Sequence, residues 1–161
     1  MIVGQDTYLS VADCDAYWLA RNNSVWAAAN NETKEKSLLE ATQYLDGAYE
    51  YIGELAQYDQ PLAWPRGGAV ITVGNLKNKF FLSTEIPKQI KDACAELALN
   101  GLSANLRPVQ DRGNMIKREK VDVLEIEYSD FAPSQKTFDF VTLLLKGLTK
   151  GSSNQKTLIR V

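Results

Sequence analysis

"NNETKEKSLLEATQYLDGAYEYIG", residues 30–53, decides the fold. Leu38, Thr42, Leu45, Tyr49 and Ile52 recur at alternating four- and three-residue steps, the spacing of one face of an α-helix. Asn30-Asn31 breaks the preceding turn and opens the helix, and Gly53 is placed to end it. The expectation is one long amphipathic helix, packed on one face and wet on the other.

Toward the N-terminus, Ser10 followed three residues later by Asp13 reads as an N-cap with an acidic first turn, so a first helix should cover about Val11 to Ala20. Asn22-Asn23-Ser24 is a turn cluster whose Ser24 caps one short turn, and Trp26 in that turn points inward. Toward the C-terminus the chain passes through "DQPLAWPRGG", residues 59–68, an unusual connection between helical stretches. Ala69 to Val73 reads as a short strand or extended excursion. Pro87 suits the first position of a second long helix, striped by Ile90, Cys94, Leu97 and Gly101 or Leu102, running to about Asn105 before Arg107-Pro108 stops it.

The period then changes. From Lys117 to Tyr128, Val121 and Val123 lie on one phase while Leu124, Ile126 and Tyr128 lie on the other. Such a switch means a bulge, or two strand segments with different neighbours. After polar Asp130 to Lys136, residues Phe138, Val141, Leu144, Leu145 and Leu148 mark a last amphipathic helix whose final turn Gly147 weakens. Beyond Lys150 the sequence Gly151-Ser152-Ser153-Asn154-Gln155 is a polar linker before an apolar end, Thr157 to Val161. That end either folds back on its own domain or meets a partner. The fold class is therefore mainly α: a small helical bundle with an inserted short β excursion or hairpin, a domain over residues 1–150 and a flexible C-terminal tail over 151–161.

Composition narrows the chemistry. A chain of 161 residues suffices for one domain burying roughly 70% of the surface its unfolded form exposes. Hydrophobic residues make up 45% and charged residues 24%, the balance of a folded domain rather than a disordered one. The net charge of −2 provides no overall positive field for nucleic acid or an anionic membrane. There is no histidine, which removes the commonest general base and metal ligand and the usual partner of a catalytic Ser or Cys. The N-terminus lacks the pattern of a secretory signal, and the apolar stretch from Phe138 to Leu148 is too short to span a bilayer, so a soluble intracellular product, or one assembled inside a cell, is expected.

Each remaining candidate weighs poorly against a structural role. Cys14 and Cys94 form no C-x-x-C; Cys94 lies in an apolar stripe, while Cys14 stands near a helix start, a position that can depress a thiol pKa. Glu125 and Glu127 share a strand face, but nothing nearby would raise either pKa for acid–base work. Gly67-Gly68 lacks the Lys-Ser/Thr of a phosphate loop. Lys117, Arg118 and Lys120, with Arg107 and Arg112, form the one basic concentration, interleaved with Glu119 and Asp122 as on a solvated face. Tyr44, Tyr49, Tyr51 and Tyr58 offer stacking surfaces for a DNA strand, although their helical spacing is that of packing residues. No enzyme and no cofactor is implied.

Several segments in order resemble a family of phage-encoded proteins often called DnaT-like single-stranded DNA-binding proteins, which in structure are similar to the head-to-tail adaptor, or head-completion (neck), proteins of tailed phages. They are Tyr8-Leu9-Ser10-Val11-Ala12-Asp13 with Asp15-Ala16-Tyr17, Trp26, Ala41-Thr42-Gln43-Tyr44-Leu45-Asp46, Leu62-Ala63-Trp64-Pro65-Arg66, Ile86-Pro87 leading into Ala93-Cys94-Ala95-Glu96-Leu97-Ala98, and Lys120-Val121 before Ile126-Glu127-Tyr128. The resemblance covers most of the chain. It implies a structural virion protein that forms a ring, usually of twelve copies, between the portal protein and the next neck or tail-terminator protein of a bacteriophage.

On that reading the chain is found in the virion neck, and in the host cytoplasm during assembly, near packaged DNA and away from membranes. The candidate partner-binding residues are Arg66, Lys117, Arg118, Lys120, Leu158, Ile159, Arg160 and Val161, with Trp26, Trp64 and Pro65 as structural anchors. Arg66 would pair with a carboxylate of its own subunit or of a neighbour. Asp122-Val123 departs from the turn-like Gly-Pro pair expected of many relatives. The alternative function is the one in the family's label, single-stranded DNA binding in replication.

Overall fold

The structure is a computed structural model that describes residues 1–70, 79–106, 118–121, 124–127 and 138–150, the two segments 118–121 and 124–127 by their backbone. In chain order its elements are α1 (Val11–Leu19), α2 (Ser24–Ala28), α3 (Asn31–Ala48), β1 (Glu54–Leu55), β2 (Arg66–Gly67), α4 (Lys88–Gly101), β3 (Arg118–Val121), β4 (Leu124–Glu127) and α5 (Asp139–Leu144). The mainly helical reading with a β hairpin holds.

Local signals set the helix starts. The Ser10 Oγ accepts the Asp13 N–H at 3.1 Å and donates to the Asp13 carboxylate at 2.6 Å, satisfying a donor that α1 would leave orphaned. Asn30 does the same for α3, accepting from the Thr33 N–H at 2.8 Å. For α2 the cap is Asn23, accepting from the Trp26 N–H at 3.0 Å, and the expected cap Ser24 is the first helical residue instead. Pro87 sits one residue earlier than expected, at the N-cap of α4.

α3 and α4 form the centre of the core, and small residues let them approach closely. The Ser37 hydroxyl donates to the Ala98 carbonyl across the interface, and the Thr42 Oγ1 lies 3.6 Å from the Cys94 Sγ. A Cβ added at Gly101 would fall 2.7 Å from the Ser37 Oγ, so the end of α4 packs here only because glycine has no side chain. α1 covers this pair with Cys14 and Trp18. Trp26 is buried in α2, its indole N–H donating to Asp15 at 2.7 Å, and the same Asp15 oxygen pairs with buried Lys34 of α3 at 2.9 Å. Trp26 thus anchors α2 to both α1 and α3, as a large side chain with one polar edge can.

Three helix ends differ from the sequence reading. α3 stops at Ala48 rather than near Gly53, because the next residues pair elsewhere: Ile52 N–H donates to Leu148 O at 2.9 Å, Lys150 N–H to Glu50 O at 2.8 Å, and Tyr51 bridges Thr149. Tyr49 and Ile52 still pack against the core, which is why the helical period runs on through them. The buried Tyr51 hydroxyl donates to Leu45 O at 3.2 Å, capturing a carbonyl of the final helical turns. α4 ends at Gly101 rather than about Asn105, and α5 at Leu144 with a turn through Gly147, whose φ is +87°.

β3 and β4 form an antiparallel pair in which Val121 faces Leu124. The phase switch read from the sequence is the point where one strand gives way to the next, and the two segments are each other's neighbours. β1 and β2, also antiparallel, leave no signal in the sequence. Of the expected excursion from Ala69 to Val73 the structure describes Ala69 and Val70, the latter bridged to Phe80; residues 71–73, Lys117, the Asp122-Val123 departure, Tyr128 and the tail with Leu158, Ile159, Arg160 and Val161 lie outside the described residues.

Candidate functional site

The segment from Glu54 to Gly67 is a loop closed at its base by β1 and β2, with Leu55 facing Arg66 and Glu54 facing Gly67. Its inner side is Trp64, fully buried, whose ring meets Tyr51 and Phe81 edge-on at centroid distances of 5.8 Å and 6.0 Å. Such edge-to-face pairs add to the large apolar area an indole buries. The Trp64-Pro65 peptide bond is cis.

A polar network holds the loop to the bundle. The Tyr8 hydroxyl donates to Asp46 of α3 and accepts the Trp64 N–H at 3.2 Å, while the other Asp46 oxygen accepts the Ala63 N–H at 3.2 Å. Burial pushes the Asp46 carboxyl above its usual pKa, an effect its hydrogen bonds from Tyr8 and Ala63 oppose. Burial and then the adjacent Asp46 charge push the Tyr8 phenol upward as well.

Arg66 makes no carboxylate pair within the described residues. Its guanidinium donates to three backbone carbonyls instead, Ile52 at 2.8 Å, Ala63 at 3.2 Å and Gly53 at 2.7 Å. A planar fork with fixed donors suits this clamp, which ties both ends of the loop to one side chain. Gly53 must be glycine: its φ is +75°, and an added Cβ would lie 2.5 Å from the Gly67 carbonyl oxygen. Gln60 completes the frame, accepting the Gln57 N–H at 3.0 Å and donating to the Leu62 and Pro65 carbonyls at 2.6 Å and 3.1 Å.

What this frame presents outward is Tyr58, fully exposed, with Leu55 and the exposed carboxylates Glu54 and Asp59. Of the four tyrosines weighed as a stacking surface, Tyr51 is buried, and Tyr44 and Tyr49 pack against each other and the core, leaving Tyr58 alone at the surface. The sequence reading missed Asp46, Tyr8 and Gln60 as parts of the site. A signal for Asp46 existed, since it follows Thr42 by four residues on α3.

The other candidates are dispersed. The register places Arg118 opposite Glu127 and Lys120 opposite Glu125, so each basic position of β3 has an acidic position across the ladder. Cys94 is buried, its thiol pushed up to about 11 by desolvation. Cys14, despite its place near a helix start, is also pushed upward by burial, because the thiol faces the core rather than the helix terminus. Among the described residues no helix is long and apolar enough to cross a membrane.

No curated protein and no solved structure matches the chain. A family model matches it from end to end, over residues 1–161, and so takes in the loop, caps and helix pair described above. The chain belongs to the family described as "Putative DnaT-like ssDNA binding protein".

Proposed function

We propose that the protein works by binding rather than catalysis, as a head-to-tail adaptor that joins the portal to the next neck or tail component of a tailed phage. The observation that carries this reading is the construction of the Trp64 loop. Arg66, Gln60, Tyr8 and Asp46 all direct their hydrogen bonds to the loop's own backbone or frame, and Tyr58 and Leu55 are left outside on a rigid support. A loop ordered before it meets its partner loses little entropy on docking, and an exposed tyrosine is a favoured anchor of protein interfaces. The carboxylates beside it suit a protein surface better than a phosphate backbone.

The experiment is loss of the gene in an infecting phage. The expected outcome is filled or leaking heads apart from free tails, and intact tailed particles at normal yield would refute the reading. Removal of Thr157 to Val161 should leave the domain folded and weaken co-sedimentation with portal.

A second reading, single-stranded DNA binding, is favoured by the family's description, which supports it more directly than the adaptor role. Against it stand the net charge of −2 and the acidic positions opposite Arg118 and Lys120. Binding of a fluorescent oligothymidylate at submicromolar protein, falling steeply with added salt, would establish it over the first.

A further inference from the structure

We infer that Tyr58 is the anchor by which this protein holds its protein partner, seated in an apolar pocket ringed by basic side chains. The inference rests on the adaptor reading and deepens it by naming the chemistry of the surface that receives the loop.

The support is out of proportion to anything the fold gains from it. The Gln60 N–H donates to the Gln57 carbonyl at 3.5 Å and the Gln60 Oε1 accepts the Gln57 N–H at 3.0 Å, closing a turn whose two corner residues are Tyr58 and Asp59. The Gln60 amide then fastens this turn to the Leu62 and Pro65 carbonyls, and Arg66 fastens the base of the loop to Ile52, Gly53 and Ala63. All of this holds in place a ring that is fully exposed, so its packing adds nothing to the described fold. Tyrosine has few side-chain torsions to immobilise, and a tip ordered before contact loses little more on docking. A side chain that is fixed at a corner and unused at home is built for contact elsewhere.

Charge states what the receiving surface carries. From Ser37 to Val70 the only Lys or Arg is Arg66, which is half-buried with its guanidinium turned onto carbonyl oxygens. Asp59 stands at the other corner of the turn and Glu54 at the base of the loop, both exposed and neither in an ion pair among the described residues. A phosphate backbone or an anionic lipid surface would meet like charge at this tip. Lysine or arginine around an apolar pocket would meet opposite charge. Such rim pairs govern orientation and encounter more than affinity, so the ring holds and the carboxylates steer.

The test takes as partner surface the tail-less heads left by gene-deleted phage, and as ligand the purified full chain, with uptake measured by co-sedimentation. Tyr58→Ala should keep the wild-type circular dichroism spectrum and lose affinity by about thirtyfold or more, as a residue at the centre of an interface does. Glu54→Gln with Asp59→Asn should bind more weakly than wild type at low salt and match it at high salt, where rim charges are screened. Glu54→Lys with Asp59→Lys should be weaker still. The same change in net charge at exposed Glu32 and Glu35 of α3 should leave uptake as it was.

Uptake of Tyr58→Ala equal to wild type, or a neutralised variant that binds at least as well at low salt, would overturn the inference and leave the adaptor reading standing. Oligothymidylate binding that Tyr58→Ala abolishes would also overturn it, by making the ring a stacking platform for bases. Heads that take up no wild-type chain would overturn both.

Discussion

The Tyr8 hydroxyl donates to Asp46 while accepting the Trp64 N–H, so the start of the chain, the end of α3 and the Trp64 loop meet at one buried oxygen. The carboxylate's second oxygen is committed to the Ala63 N–H. Asp46→Ala would leave the Tyr8 O–H and the Ala63 N–H without an acceptor, a loss of about 2 to 4 kcal/mol for the two groups together. Urea unfolding of the variant against wild type measures it.

Asp46 also fixes a sign for pH dependence. Its folded pKa lies above the unfolded value, chiefly through desolvation. Folded protein therefore binds the proton more tightly than unfolded protein, and this group's contribution is greatest below the unfolded pKa and declines as pH rises through the folded pKa. Asp46→Asn cannot titrate. The difference in unfolding free energy, wild type minus Asp46→Asn, should fall as pH is raised from below the ordinary Asp range through the folded pKa, then level off. A difference that stays constant or rises across that window would contradict the assigned environment.

Arg66 tests whether the loop is rigid because of its clamp. A lysine in its place would keep the charge but lose the planar fork that reaches Ile52, Gly53 and Ala63 together. Arg66→Lys should cost about 1 to 3 kcal/mol in denaturant unfolding. The effect should be local as well: amide exchange should accelerate at Leu55 to Leu62 while the α3 and α4 core amides keep their relative order of protection.

These contacts explain which parts of the molecule can be read in advance. Caps are local, so Ser10 and Asn30 announce α1 and α3 from residues within one turn. The end of α3 is set by residues 148–150, about a hundred positions away, and Tyr49 and Ile52 keep helical spacing while serving an extended segment. β1 and β2 have two residues each, too few to display a period of two. Trp64 stands out because its side chain is rare and large. Arg66 draws notice for its charge, yet its partners are carbonyls, which every residue carries and no sequence distinguishes.

The approach of α3 and α4 offers the sharpest test of the core, because two small residues have opposite requirements there. Gly101 is the last residue of α4, where alanine would favour the helix by about 1 kcal/mol were there space. The added Cβ would instead meet the Ser37 Oγ at 2.7 Å, and that oxygen is not free to turn away, since its hydrogen bond goes to the Ala98 carbonyl one helical turn before. Gly101→Ala in wild type should therefore destabilise, by about 1 to 3 kcal/mol for an overpacked contact. Ser37→Ala removes the obstructing oxygen together with one buried hydrogen bond. In that background Gly101→Ala should be neutral or stabilising, giving a favourable coupling of about 1 kcal/mol or more in a double-mutant cycle. Additive effects would mean that the helices move apart to accept the methyl group, and that their spacing is not set at this contact.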